Sequence, residues 1–147
     1  ALASISERRT FRLLTPELSG LPPFLAEEPG LQSGLMLLQV SQASLVSYAK
    51  SLAHPASVDS IPTSGNQEDF VPMSANAALK ASEILKIAKK VIAGELVAAV
   101  RAASRSGKPV PPKLQPLYEN YISKVKPKEG DVVVAEEWGK AEALMEV

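Results

Sequence analysis

The densest mixture of side chains that could do chemistry in this sequence lies in sixteen residues, from His54 to Asp69. The stretch holds the one histidine of the chain, the carboxylates Asp59, Glu68 and Asp69, the hydroxyls Ser57, Ser60, Thr63 and Ser64, and the amides Asn66 and Gln67. His54 with Ser57 or Ser60 and Asp59 has the residue types of a hydrolytic triad. Such a triad needs nucleophile, base and orienting acid arranged in space, and this crowded local cluster matches no arrangement of that kind. His54 reads instead as a helix-terminal histidine that hydrogen-bonds locally. Asp59 and Asp69 have the oxygen chemistry of metal ligands, but one histidine, no cysteine and no ligand spacing give no metal site. A glycine-rich phosphate loop is missing too.

The segments that must position this stretch read as helices. Residues 1–14 form one helix, and Pro16, Gly20, Pro22 and Pro23 break the chain into a loop over residues 15–29. Helix resumes near Leu31 and runs to about Ala53, because Pro55 disfavours helical geometry in the residue before it. Residues 54–72 carry Pro55, Pro62, Pro72 and Gly65, with no alternation long enough for a strand, and make a loop. From about residue 74 to 103, Ala81, Leu85, Ala88, Ile92, Leu96 and Ala99 recur at intervals of three and four. They lay an apolar stripe on one helix, with Lys86, Lys90 and Arg101 on the far side. Ile84, Ile87, Val91 and Val100 widen the stripe enough to meet more than one neighbouring helix. Gly107 and four prolines make residues 105–116 a second loop. Residues 117–125 and 136–147 read as short helices, with 131–135 as a possible extended piece between them. The fold class is all-α, a piece of a long-helix bundle with proline-rich loops. Its organisation is a helical core portion, residues 1–103, followed by a proline-rich loop and short terminal helices, residues 104–147.

Sixteen acidic and sixteen basic residues balance and lie scattered along the chain. There is no basic face to draw nucleic acid and no polybasic anchor for a membrane. The absence of cysteine removes disulfides and thiolate chemistry and is compatible with a reducing cytoplasm. The longest charge-free run, residues 29–49, is interrupted by Gln32, Ser33, Gln39, Ser41, Gln42, Ser44 and Ser47, which suits a helix buried among helices better than a membrane span.

The run His54-Pro55-Ala56-Ser57-Val58-Asp59-Ser60-Ile61-Pro62-Thr63-Ser64-Gly65-Asn66-Gln67-Glu68-Asp69 resembles the second signature region of the histidine ammonia-lyase family. These are the aromatic amino-acid lyases and aminomutases that carry a methylidene-imidazolone electrophile. The resemblance extends backward through Gly30-Leu31-Gln32-Ser33-Gly34-Leu35-Met36 and Ser47-Tyr48-Ala49-Lys50-Ser51-Leu52-Ala53, and forward past Met73. It implies long, nearly parallel helices of a homotetramer core, with residues 54–72 as an active-site loop. Family members are several times longer than 147 residues, so the match is to a C-terminal portion. A start in mid-helix, without an initiator Met, fits a chain that was cleaved or is part of a longer one.

The resemblance also carries the chemistry. Family members cyclise an internal Ala-Ser-Gly triplet into the electrophile, and no such triplet occurs in this chain. Thr63-Ser64-Gly65 comes nearest, but it lies inside the stretch that the family places far in sequence from its cyclising triplet. The electrophile is therefore expected from the N-terminal part of the enzyme. Glu68 falls at the active-site glutamate typical of the histidine-specific branch, where phenylalanine-specific relatives often carry glutamine. A carboxylate there would stabilise positive charge on the substrate or move a proton during elimination. Gln67 and Asn66 are the next candidates, as polar groups that bind substrate or tie the loop's own backbone. Two departures stand out. Phe70 occupies a place where many histidine lyases have another histidine, and Tyr48-Ala49 replaces a common Glu-Asn pair, read as packing variation at a helix surface.

The expected function is the C-terminal part of a cytoplasmic ammonia-lyase of histidine metabolism, taking histidine to urocanate and inactive alone. The alternatives are a fragment of a tyrosine or phenylalanine ammonia-lyase or aminomutase, and a non-catalytic helical assembly module.

Overall fold

Helix α4, Ser74–Arg105, is the axis of the fold, against which three of the other helices pack directly. Around it the computed structural model, which describes residues 1–128 and 130–145, has α1 at Leu2–Leu14, α2 at Pro16–Ser19, α3 at Met36–Leu52, α5 at Gln115–Val125 and α6 at Val134–Ala143. Single 3-10 turns occur at Pro23–Leu25, Ala56–Val58 and Ser64–Asn66. No strand forms among the described residues, which have only isolated bridges between Pro29 and Gln32 and between Thr63 and Glu68. Residues 131–133 accordingly lead straight into α6, and the expected extended piece is not a strand. The last two residues of the expected terminal helix, 146 and 147, lie outside the described residues.

The buried face of α4 overlaps the expected stripe only in its widened part, at Ile87, Val91 and Val100. Ile87, Val91, Gly94, Ala98 and Arg101 turn inward, whereas Leu85 is 70% exposed and Ala81 and Ala99 are exposed as well. Alanine, isoleucine, leucine and valine lie all round this helix, so several faces fit a 3.6-residue period and the packed neighbours select one. Those neighbours are α1, α3 and α6. Leu14, Leu25, Leu35, Leu38, Val97 and Trp138 belong to the larger core; Ala3, Val46, Ala49, Ile87 and Val91 form a smaller one. Ala49 is thus a core residue, while Tyr48 beside it is half exposed.

Arg101, expected on the far side of α4, is buried. Its Nη2 donates to Glu137 Oε2 at 2.6 Å, and the Tyr121 hydroxyl donates to Glu137 Oε1 at 2.7 Å, which ties α4, α5 and α6 together. At the other side of the axis, Glu7 of α1 accepts both guanidinium donors of Arg8 and the amide of Gln39 on α3. The hydrogen bonds from Arg8 hold the Glu7 carboxyl below its usual range against the opposing effect of burial.

Helix α3 begins at Met36 rather than near Leu31. Gly34 has φ 53°, and a Cβ there would lie 2.5 Å from the Phe24 carbonyl oxygen, so the chain must turn before the helix starts. The Asp131 carboxylate, far along the tail, accepts the N–H groups of Ser33 and Gly34 at 3.0 Å each.

Candidate functional site: the loop between α3 and α4

The first thirteen residues of α4, 74–86, contain no buried side chain, and the loop that carries Glu68 stands at this uncovered end. Helix α3 closes when Ala53 N–H donates to the carbonyls of Ala49 and Lys50. His54 follows, and its carbonyl accepts a hydrogen bond from the Lys80 ammonium on α4. The histidine is helix-terminal as expected, but the expected local hydrogen bond is not made: its carbonyl is held by Lys80 of another helix, and the imidazole has no hydrogen bond among the described residues and is exposed.

Beyond the Ala56–Val58 turn the loop doubles back on itself. Val71 N–H donates to the Ser60 hydroxyl at 2.9 Å. Further out, Thr63 N–H donates to the Glu68 carbonyl at 3.0 Å and Glu68 N–H to the Thr63 carbonyl at 3.4 Å. Both contacts belong to one antiparallel register, since each side advances by the same number of residues between them. The tip, residues 64–67, is a left-handed turn with φ of 55° at Ser64, 65° at Gly65 and 70° at Asn66, closed by Asn66 N–H donating to the Thr63 carbonyl at 3.0 Å. Left-handed geometry costs a non-glycine residue about 1–2 kcal/mol, least for asparagine, and such strain concentrates at functional loops.

The Thr63 hydroxyl donates to Glu68 Oε2 at 3.2 Å, and Oε1 has no hydrogen-bond partner among the described residues. The amides of Asn66 and Gln67 make no side-chain hydrogen bond there either, so they do not tie the loop's own backbone. All of residues 61–70 are exposed. A nearby open cleft of about 680 Å³ is lined by His54, Val58, Asp59, Met73, Asn76 and Lys80 among others, with Glu68 outside its lining. No group of three or more histidine, aspartate or glutamate side chains among the described residues is arranged to hold a metal ion.

Sequence reasoning singled out Glu68, Gln67 and Asn66; it weighed Ser60 and Thr63 only for other chemistry and did not foresee that they and Lys80 hold the loop in shape. The available signal was a pair of residues flanking a four-residue Ser-Gly-Asn-Gln segment, the composition of a hairpin tip.

The family model for aromatic amino acid lyases matches residues 1–126. The chain belongs to that family. It is 57% identical over 106 residues to histidine ammonia-lyase of Bacillus mycoides, covering 72% of this chain and 21% of that enzyme. Among solved structures it resembles histidine ammonia-lyase from Trypanosoma cruzi, with a TM-score of 0.92, 36% identity and coverage of 97% of this chain and 28% of that one. Tyrosine aminomutase from Streptomyces globisporus matches with a TM-score of 0.91 and 30% identity over 96% of this chain and 27% of that one. This lyase chain therefore spans about a fifth of the length of the curated relatives it matches.

The residues at hand do not fit the family's methylidene-imidazolone. Ring closure at Thr63-Ser64-Gly65 would consume the Thr63 carbonyl, and that oxygen already closes the tip by accepting the Asn66 and Glu68 N–H groups. The turn also lies in open solvent rather than in a water-excluding pocket.

Proposed function

We propose that this chain is the C-terminal part of an ammonia-lyase that eliminates ammonia non-oxidatively from an aromatic amino acid, and that the substrate is histidine and the product urocanate. The carrying observation is the exposed Glu68 carboxylate, with Oε1 unengaged, on a hairpin loop in a chain 57% identical to a histidine ammonia-lyase. Glu68 would face the substrate's amino or imidazole group, stabilising its positive charge or moving a proton, with Asn66 and Gln67 lining the same side. The electrophile would come from the remaining, N-terminal part of the enzyme rather than from this chain's own Thr63-Ser64-Gly65. Val58, Ile61, Phe70, Leu79 and Leu85, each more than half exposed, would be covered by that part and by other subunits of a homotetramer.

The test is Glu68→Gln in the full-length enzyme, which keeps shape and removes charge. Turnover of histidine should fall about a hundredfold or more with the assembly intact. Near-parental rates on the preferred substrate would remove Glu68 from the site. A second reading has its own observation: Phe70, next to Glu68-Asp69, is 77% exposed and presents an apolar ring where a polar partner for imidazole would be useful. It favours a tyrosine or phenylalanine lyase or aminomutase, and a parental enzyme that prefers either of those amino acids over histidine would establish it.

A further inference from the structure

We propose that Thr63 is a positioning residue for Glu68, a role that rests on reading Glu68 as the working carboxylate. Glu68 is exposed, and an unrestrained glutamate side chain samples many rotamers. Two features of Thr63 remove that freedom. Its main chain exchanges hydrogen bonds with Glu68 in both directions, so the two residues stand directly opposite each other and their side chains leave the loop on the same side. Its β-branched side chain is stiff at χ1, and its hydroxyl donates to Glu68 Oε2 at 3.2 Å. One carboxylate oxygen is thereby anchored, and Oε1 is turned out with no partner among the described residues. The strained tip between the two residues fits this arrangement: Ser64 and Asn66 hold left-handed geometry so that Thr63 and Glu68 can meet.

The experiment compares Thr63→Val, which keeps the β-branch and the main-chain pairing, with Thr63→Ser, which keeps the hydroxyl, in the full-length enzyme. Thr63→Val should lower kcat about tenfold, the effect of losing one hydrogen bond to a charged group, with KM little changed. Thr63→Ser should stay within about threefold of the parent, since the donor survives on a looser rotor. On a Glu68→Ala background Thr63→Val should cost nothing further, because the group it positions is gone. Parental rates for Thr63→Val beside a crippled Glu68→Gln would overturn the role of Thr63 and leave the reading of Glu68 standing. An undiminished loss on the Glu68→Ala background would overturn it as well, exposing a purely structural effect. If Glu68→Ala itself turns over like the parent, both readings fall.

Discussion

Glu137 accepts from two donors inside the protein, and the less obvious of them is Tyr121. Burial pushes the Tyr121 hydroxyl well above the usual tyrosine range, and the hydrogen bond to Glu137 adds in the same direction. The folded chain therefore keeps a proton that the unfolded chain releases near pH 10. The resulting stabilisation is complete below about pH 10 and is lost as the pH rises beyond it. Tyr121→Phe should cost about 1–3 kcal/mol at neutral pH, because one oxygen of a buried carboxylate loses its donor, and should flatten the decline above about pH 10. Urea unfolding at several pH values measures both; parallel stability curves for the two proteins would contradict the account. None of this was legible in the sequence. Arg101 reads as a solvated cation when only apolar spacing is counted, since its partner Glu137 lies 36 residues away. Glu68 is a candidate through the resemblance of its flanking run, whereas its pairing with Thr63 is visible only once the chain folds back.

At the scale of elements, the ends of the longer helices are harder to read than their existence, and the four-residue α2 forms inside the expected loop of residues 15–29 because Pro16 suits the first turn of a helix. Residues 31–35 continue the apolar period of α3, yet the chain there turns through Gly34 beneath the Phe24 carbonyl, a neighbour that no local pattern announces. The same segment has a remote anchor. Asp131 satisfies two successive main-chain donors just ahead of α3, a helix whose own N-cap residue, Leu35, offers no side-chain bond. Asp131→Ala should destabilise the protein by about 1 kcal/mol, a modest figure because the site is exposed, and Asp131→Asn by roughly half of that, since its amide keeps one acceptor oxygen. Denaturation midpoints would show the order. Equal stability of all three would mean that water replaces the carboxylate without loss. The α4 stripe illustrates the complementary limit: its period was legible, but the choice of face belonged to α1, α3 and α6.

For the molecule as a whole, the loop and the first thirteen residues of α4 form the least covered region, and the loop carries the carboxylate of interest. A purified sample of residues 1–147 alone should have no ammonia-lyase activity and no near-ultraviolet absorbance from a methylidene-imidazolone. Borohydride should find nothing to reduce. Appearance of the chromophore in that sample would show that Thr63-Ser64-Gly65 can cyclise after all. The two ends of α4 also differ in how their hydrogen-bonded turns are protected. From Ile87 onward the turns are locked to three other helices, so their amide protons exchange with solvent only when the core opens. The turns before Ile87 lack that cover, and this end of α4 is held by the Lys80 ammonium on the His54 carbonyl and by the Ala56–Val58 turn. Exchange protection should therefore fall off from Ile87 toward residue 74, so that this end of α4 and the Glu68 loop open as a smaller unit than the core, with the Thr63–Glu68 pairing keeping the loop's own shape while they do.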